Sequence, residues 1–266
     1  MTNRYFSYRH AWLFSGPPHE ETRLEPKEWK ALLKKGELMV RNTYDFDCET
    51  ETSFWNLIKD QFGGLEELSG NTRNRVTKAL ESLEYRLIEP DYVKNHGYPV
   101  LKATFDNYTI VDRPMNPGIF ETYIEHCRNS HCDFWGIFDR SNGAFIGFCA
   151  NYVWPQAAQY DIIGILPEYR HNQTFPYYGL FYSMNRHYLE ERGFLYVSDG
   201  TRSITEHSNI QPFLEEKFHF RKSYCHLAVH YQWWMKLAVT ILYPFRKIIT
   251  IPQIKAVLHM ESMRTE

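Results

Sequence analysis

No apolar run in this 266-residue chain approaches the ~20 residues that a spanning helix needs. The most apolar stretch, "WWMKLAVTILYPFRKIITI", has Leu237–Phe245 as its longest uncharged run, only nine residues. The opening "MTNRYFSYRHAWLFSG" lacks the basic start and unbroken apolar core of a secretory leader. A positive excess is also lacking: 30 Lys and Arg against 32 Asp and Glu give a net charge of −2, which leaves no broad excess to neutralise phosphates and argues against a general nucleic-acid binder. Cysteines are few, odd in number and scattered (Cys48, Cys127, Cys132, Cys149, Cys225), so a reducing, cytoplasmic setting with free thiols is expected. "HCRNSHC" at 126–132 has no second ligand pair at a matching distance, so no metal site is expected. Internal repeats and low-complexity tracts are absent.

Aromatics, by contrast, make up 17% of the chain, enough to fill a thick core or line a cleft for a flat ligand. The first 36 residues are polar, with a short helix expected at "PKEWKALLKK". Strands follow at "ELMVRNTYDFD" and "SFWNLIKD", rich in β-branched and aromatic residues. A helix over "LEELSGNTRNRVTKALESL" has Ser69 or Asn71 as its N-cap and Val76, Ala79, Leu80 and Leu83 on one face. "EYRLIEP" reads as a strand, "DYVKNHGYPVLKATFDNYT" and "GIFETYIEHCRN" as helices. From 133 the order is β-β-β-α-β-α-β. A hairpin turns at "DRSNG", "AAQYDIIGIL" carries the apolar run of a buried strand, and "PYYGLFYSMNRHYLEERG" is a helix with Pro176 in its first turn. The last three elements are "FLYVSDG", "EHSNIQPFLEEK" and "FHFRKSYCHLAVHY".

The stretch "LPEYRHNQTFPYYGLF" (166–181) therefore runs from strand to polar loop to helix, a junction that often holds an anion. No glycine lies between Arg170 and Pro176.

The hairpin, "YDIIGILPEYR", "LEERGF" and "SNIQPFLEEKFHFRK" together resemble the GNAT superfamily of acyl-CoA N-acyltransferases, over residues 133–231. Upstream, "FWNLIKDQFGGLEELSGNTRNRVTKAL" resembles a segment of FemAB-like and polysaccharide-associated members, extending the similarity to about residue 40. The order of elements carries the resemblance more than any single motif. It implies an α/β fold with a mixed, mostly antiparallel sheet flanked by helices. Residues 1–112 would be an N-terminal α/β extension, 113–232 the acyltransferase core and 233–266 a C-terminal helical tail.

For function, the resemblance implies transfer of an acyl group from acetyl-CoA or another acyl-CoA to a small-molecule, glycan or peptide amine. The family's phosphate loop reads Arg/Gln-x-x-Gly-x-Gly/Ala. Arg170 matches the first position, while Gln173 and Phe175 stand at the glycine positions. Arg170, Asn172, Gln173 and Thr174 would then hold the cofactor by side-chain donors. A backbone N–H near Ile163, Gly164 and Ile165 would polarise the carbonyl, with Gly164 permitting a bulge, and Asn209 is the helix asparagine. Asp161, Glu168, Asp199, Glu206 and His207 are candidate bases. Asp199 is preferred because its strand and the central one are expected to part near the cofactor. His207 has a suitable unperturbed pKa. The family's acid tyrosine is absent at 214–215, which leaves Tyr224 as a substitute, and His219 replaces a family glycine. FemAB-type members use aminoacyl-tRNA on this fold and often lack the glycine loop, so that donor is one alternative, and a non-catalytic binding protein is another. The tail is expected to fold back over the core. The competing expectation is peripheral membrane contact through 233–250, with Trp233, Trp234, Lys236, Arg246 and Lys247 as anchors.

Overall fold

The computed structural model describes residues 4–106, 116–170, 172–204 and 210–265. His207 and Asn209, like Glu206, lie outside them. Two compact units divide the chain. The first takes the described residues of Met1–Leu57, Thr201–His207 and Lys222–Glu266, and the second those of Ile58–Gly200 and Ser208–Arg221. The units interleave along the chain, so the expected boundaries at 112 and 232 do not coincide with them. Residues 58–106 belong with the segment expected to be the core, and 233–265 belong with the N-terminal strands.

In the first unit, β1 (Tyr5–Tyr8) and β2 (Ala11–Phe14) form an antiparallel hairpin, and α1 (Pro26–Leu33) precedes β3 (Met39–Tyr44). β3 pairs in parallel with β2 and antiparallel with β10 (Arg221–Tyr231). The order is β1-β2-β3-β10 and then β4 (Phe54–Lys59), within which the chain leaves this unit. The tail forms α8 (Trp233–Leu242) and α9 (Pro252–Ser262). Val239, Leu258, Met260 and Met263 bury themselves against Met39, Phe54 and Leu227. Thr265 N–H donates to the Leu227 carbonyl at 3.0 Å, and Leu227 N–H donates back to Thr265 Oγ1 at 3.2 Å. The tail is thus folded onto its own unit, as apolar residues at helical spacing require.

In the second unit the order is β9-β8-β7-β6-β5, with β5 Leu83–Ile88, β6 Asp133–Asp139, β7 Phe145–Val153, β8 Ala157–Ile165 and β9 Tyr196–Thr201. Every pairing there is antiparallel except β8 with β9. Helices α2 (Gly70–Ser82), α3 (Pro90–Asp106) and α4 (Pro117–Asn129) come first. They are followed by the single turn α5 (Pro167–Arg170), α6 (Pro176–Asn185) and α7 (Ile210–Phe218). Ser69 caps α2, its hydroxyl accepting from Thr72 N–H. Val93, Leu101, Phe120, Ile124, Phe134 and Phe148 form a core in which α3 and α4 cover the sheet. Helix α6 continues as a π-helical turn, Arg186–Glu191, which places Tyr188 fully inside. The β-β-β-α-β-α-β order after 133 is the one observed, within a mixed and mostly antiparallel α/β architecture.

Candidate active site

Strands β8 and β9 pair over three residues only, Ala157↔Tyr196 to Gln159↔Ser198. Among the described residues no pair between them follows, so Tyr160–Ile165 run on without a β9 partner. Asp199 stands on β9 one residue beyond the last pair. Its half-buried carboxyl bonds the Gln211 side chain of α7, and burial outweighs that bond, raising its pKa from 3.8 to about 7. A carboxylate balanced near neutrality where two strands part is chemically suited to taking a proton from an ammonium group.

The bulge is not where it was expected. Ile163, Gly164 and Ile165 sit in regular register against Cys149, Phe148 and Gly147, and the shift falls at Asp161, between the pairs Ala150↔Ile162 and Asn151↔Tyr160. A charged residue gains from being extruded there, because its side chain reaches Tyr123, whose hydroxyl donates to Asp161 Oδ2 at 2.7 Å. Gly164 serves packing: a Cβ on it would lie 3.2 Å from the Phe148 ring and 3.5 Å from Leu101 of α3. At the strand end, Ile165 N–H donates to Thr104 Oγ1 at 3.0 Å, and the Thr104 hydroxyl lies between the Val100 carbonyl of its own helix (2.8 Å) and the Ile165 carbonyl (3.1 Å). Helix α3 therefore occupies the N–H of the last β8 residue.

The loop after β8 is closed upon itself. Arg170 Nε donates to the Ile165 carbonyl at 3.2 Å, so the guanidinium turns toward the strand. Asn172 Oδ1 accepts from both the N–H (3.1 Å) and the hydroxyl of Thr174, which spends the hydroxyl donor inside the turn. Gln173 is exposed. Phe175 caps α6 in the left-handed region at φ +48° and stacks beneath Arg75, whose guanidinium carbon is 5.3 Å from its ring centroid and 5.2 Å from that of Tyr178. Arg75 Nη1 also donates to the Tyr178 hydroxyl at 2.6 Å. Gly179 allows Tyr85 to lie against the helix and donate to the Pro176 carbonyl; a Cβ there would meet Tyr85 Oη at 2.3 Å. The helix start is present, but aromatic rings fill the space near it.

Tyr224 belongs to the first unit, half-buried on β10 and edge-on to Trp55 at 6.3 Å. That unit also holds a constellation the sequence did not announce. Trp55 carries Arg202 at 4.4 Å and Lys222 at 4.5 Å over its ring, and Arg202 is fixed by Nη1 to the Ser53 carbonyl at 2.6 Å. The three residues are scattered in sequence, so only the signature of cation and aromatic types could have pointed to them. Two cavities, of about 450 and 350 Å³, are lined by other residues than Arg170, Asn172, Gln173, Thr174 or Asp199. Among the described residues no group of His, Cys, Asp and Glu could hold a metal ion.

No protein-family model matches the chain, and no curated protein matches it in sequence. Solved structures do match. FemX superposes at a TM-score of 0.55 with 10% identity, covering 80% of this chain and 77% of FemX. The C-terminal DUF2156 domain of a putative lysylphosphatidylglycerol synthetase from Agrobacterium fabrum gives 0.50 at 13% identity, covering 83% and 71%. L-PGS from Bacillus licheniformis gives 0.50 at 9%, covering 90% and 77%. At such identities the likeness concerns the fold: this chain has the GNAT-like fold in the form shared with FemX and these synthetase structures.

Proposed function

We propose that the protein is an aminoacyltransferase that moves an aminoacyl group from an ester donor, an aminoacyl-tRNA, to an amine acceptor. The observation that carries this choice of donor is the closed loop 172–175, where Thr174 satisfies Asn172 and the Phe175 ring lies under Arg75. A CoA pyrophosphate needs open backbone amides at that helix start, and an aminoacyl ester does not bring a pyrophosphate. The fold shared with FemX supports the same class, as does the likeness to an enzyme named for making lysylphosphatidylglycerol, itself an aminoacyl ester. Trp55 with Arg202 and Lys222, all of the first unit, offers a stacking face and cationic charge of the kind single-stranded RNA uses. Local charge suffices for that, despite the net charge of −2.

Asp199 then accepts the proton of the acceptor's ammonium group. The freed amine bonds the acyl carbon, the ester C–O bond breaks, and the departing ribose hydroxyl takes up the second amine proton. The acyl-CoA reading keeps one specific observation in its favour, the retained Arg170 and helix start at the end of β8.

Puromycin, a stable 3′-aminoacylamino nucleoside, separates the readings. The proposal expects it to raise the melting temperature in a saturable way while acetyl-CoA and free CoA do not. A saturable shift with acetyl-CoA alone would establish the acyl-CoA reading, and no shift with either would favour a non-catalytic protein.

A further inference from the structure

The first unit exposes an apolar surface that its own core does not cover. On α8, Met235, Val239 and Leu242 pack inward, while Trp233 is 78% exposed, Trp234 49%, Leu237 56% and Ile241 57%. At 3.6 residues per turn these four positions fall within a sector of about 100°. The segment after the helix adds exposed Phe245, Ile248 and Ile251. Single exposed apolar residues are ordinary. Seven within 19 residues, two of them tryptophan, mark an interaction surface.

The charge around this surface says what covers it. From Lys217 to Met260 the sequence holds no Asp or Glu, although the whole chain is net acidic. Lys236, Arg246, Lys247 and Lys255 accompany the apolar residues. Lys236 also lines a cavity of about 450 Å³ with Arg23, Arg264 and the stacked pair Trp29–His230, in which Glu25 is the acidic residue. A second copy of the chain placed on this face would bring like charges together. An anionic bilayer supplies both an apolar boundary for the rings and phosphates for the cations. Among the described residues no helix is long and apolar enough to cross a membrane, so the contact is peripheral.

We propose that α8 and the segment to Ile251 dock this unit on an anionic membrane surface. Trp233, Trp234, Leu237 and Ile241 enter the boundary between headgroups and acyl chains, while Lys236, Arg246 and Lys247 meet lipid phosphates. This inference goes beyond the transferase reading and does not depend on it.

Co-sedimentation of the full chain with vesicles tests it, using phosphatidylcholine alone and phosphatidylcholine mixed with phosphatidylglycerol. Binding is expected on the mixed vesicles only, and is expected to weaken as salt shortens the Debye length. Trp233→Ser with Leu237→Ser should reduce partition about tenfold or more. Lys236→Gln with Lys247→Gln should reduce it about fivefold per charge. Both pairs should keep the wild-type melting temperature, because these side chains face solvent. Equal partition on both vesicle types, partition unchanged by the substitutions, or no partition at all would overturn the proposal. So would a concentration-dependent dimer in sedimentation velocity that the Trp233/Leu237 pair abolishes while vesicles remain unbound.

Discussion

In the proposed transfer Asp199 is the base, and its protonation state sets when it can act. Its carboxyl is raised from 3.8 to about 7, chiefly by burial, so it gains base character only as pH rises through 7. Transfer should fall about tenfold per unit below that pH, and Asp199→Asn should lose about 10²–10⁴ in kcat and flatten the profile. Stability should move the other way. The folded protein holds a proton between pH 4 and 7 that the unfolded chain has released; that contribution is fully present below the unfolded value and lost as pH rises through the folded one. Above 7 the wild-type protein therefore carries a half-buried charge. Asp199→Asn should raise the melting temperature relative to wild type more at pH 8 than at pH 5, and an equal change at both would contradict the assignment. Phe175 and His219 both hold left-handed backbone, at φ +48° and +56°, a conformation that glycine adopts without strain. Phe175→Ala should accordingly be less stable than Phe175→Gly by about 1–2 kcal/mol in urea unfolding, since only glycine adopts that φ without cost.

Among elements, the parallel pairing of β8 with β9 was legible in the sequence, because a buried apolar strand followed by a helix and "FLYVSDG" makes a crossover unit, while their parting was expected from the resemblance. The position of the bulge was not legible. Gly164 is the residue a sequence reader chooses, yet it packs against α3, and Asp161 is extruded because Tyr123 is there to receive it. Such a choice depends on α4, 38 residues away in sequence, and no local pattern reports it. The β1–β2 hairpin was also missed, since "YFSY" and "AWLF" are too short and too exposed to alternate clearly. Arg75 ties α2 to the start of α6 through the Tyr178 hydroxyl and two aromatic faces. Arg75→Ala should cost about 1–3 kcal/mol in urea unfolding by losing a hydrogen bond and desolvated ring contacts. The pH profile of transfer should not move in that variant, because Asp199 is untouched.

At the scale of the whole molecule, element order gave the fold class and could not give the units. Hydrophobic periodicity tells which face of an element is buried. It does not tell which distant partner buries it, so the pairing of β10 with β3 and the return of α9 onto β10 stayed hidden. Composition was informative by exclusion: five cysteines form no disulfide, and charge concentrates locally within a chain of net −2. The identity of the donor is tested by filter binding of labelled aminoacyl-tRNA to the 266-residue chain, with puromycin and acetyl-CoA as separate competitors. Saturable binding is expected that puromycin displaces and acetyl-CoA leaves intact. Displacement by acetyl-CoA, or no saturable binding of aminoacyl-tRNA, would contradict the proposed donor.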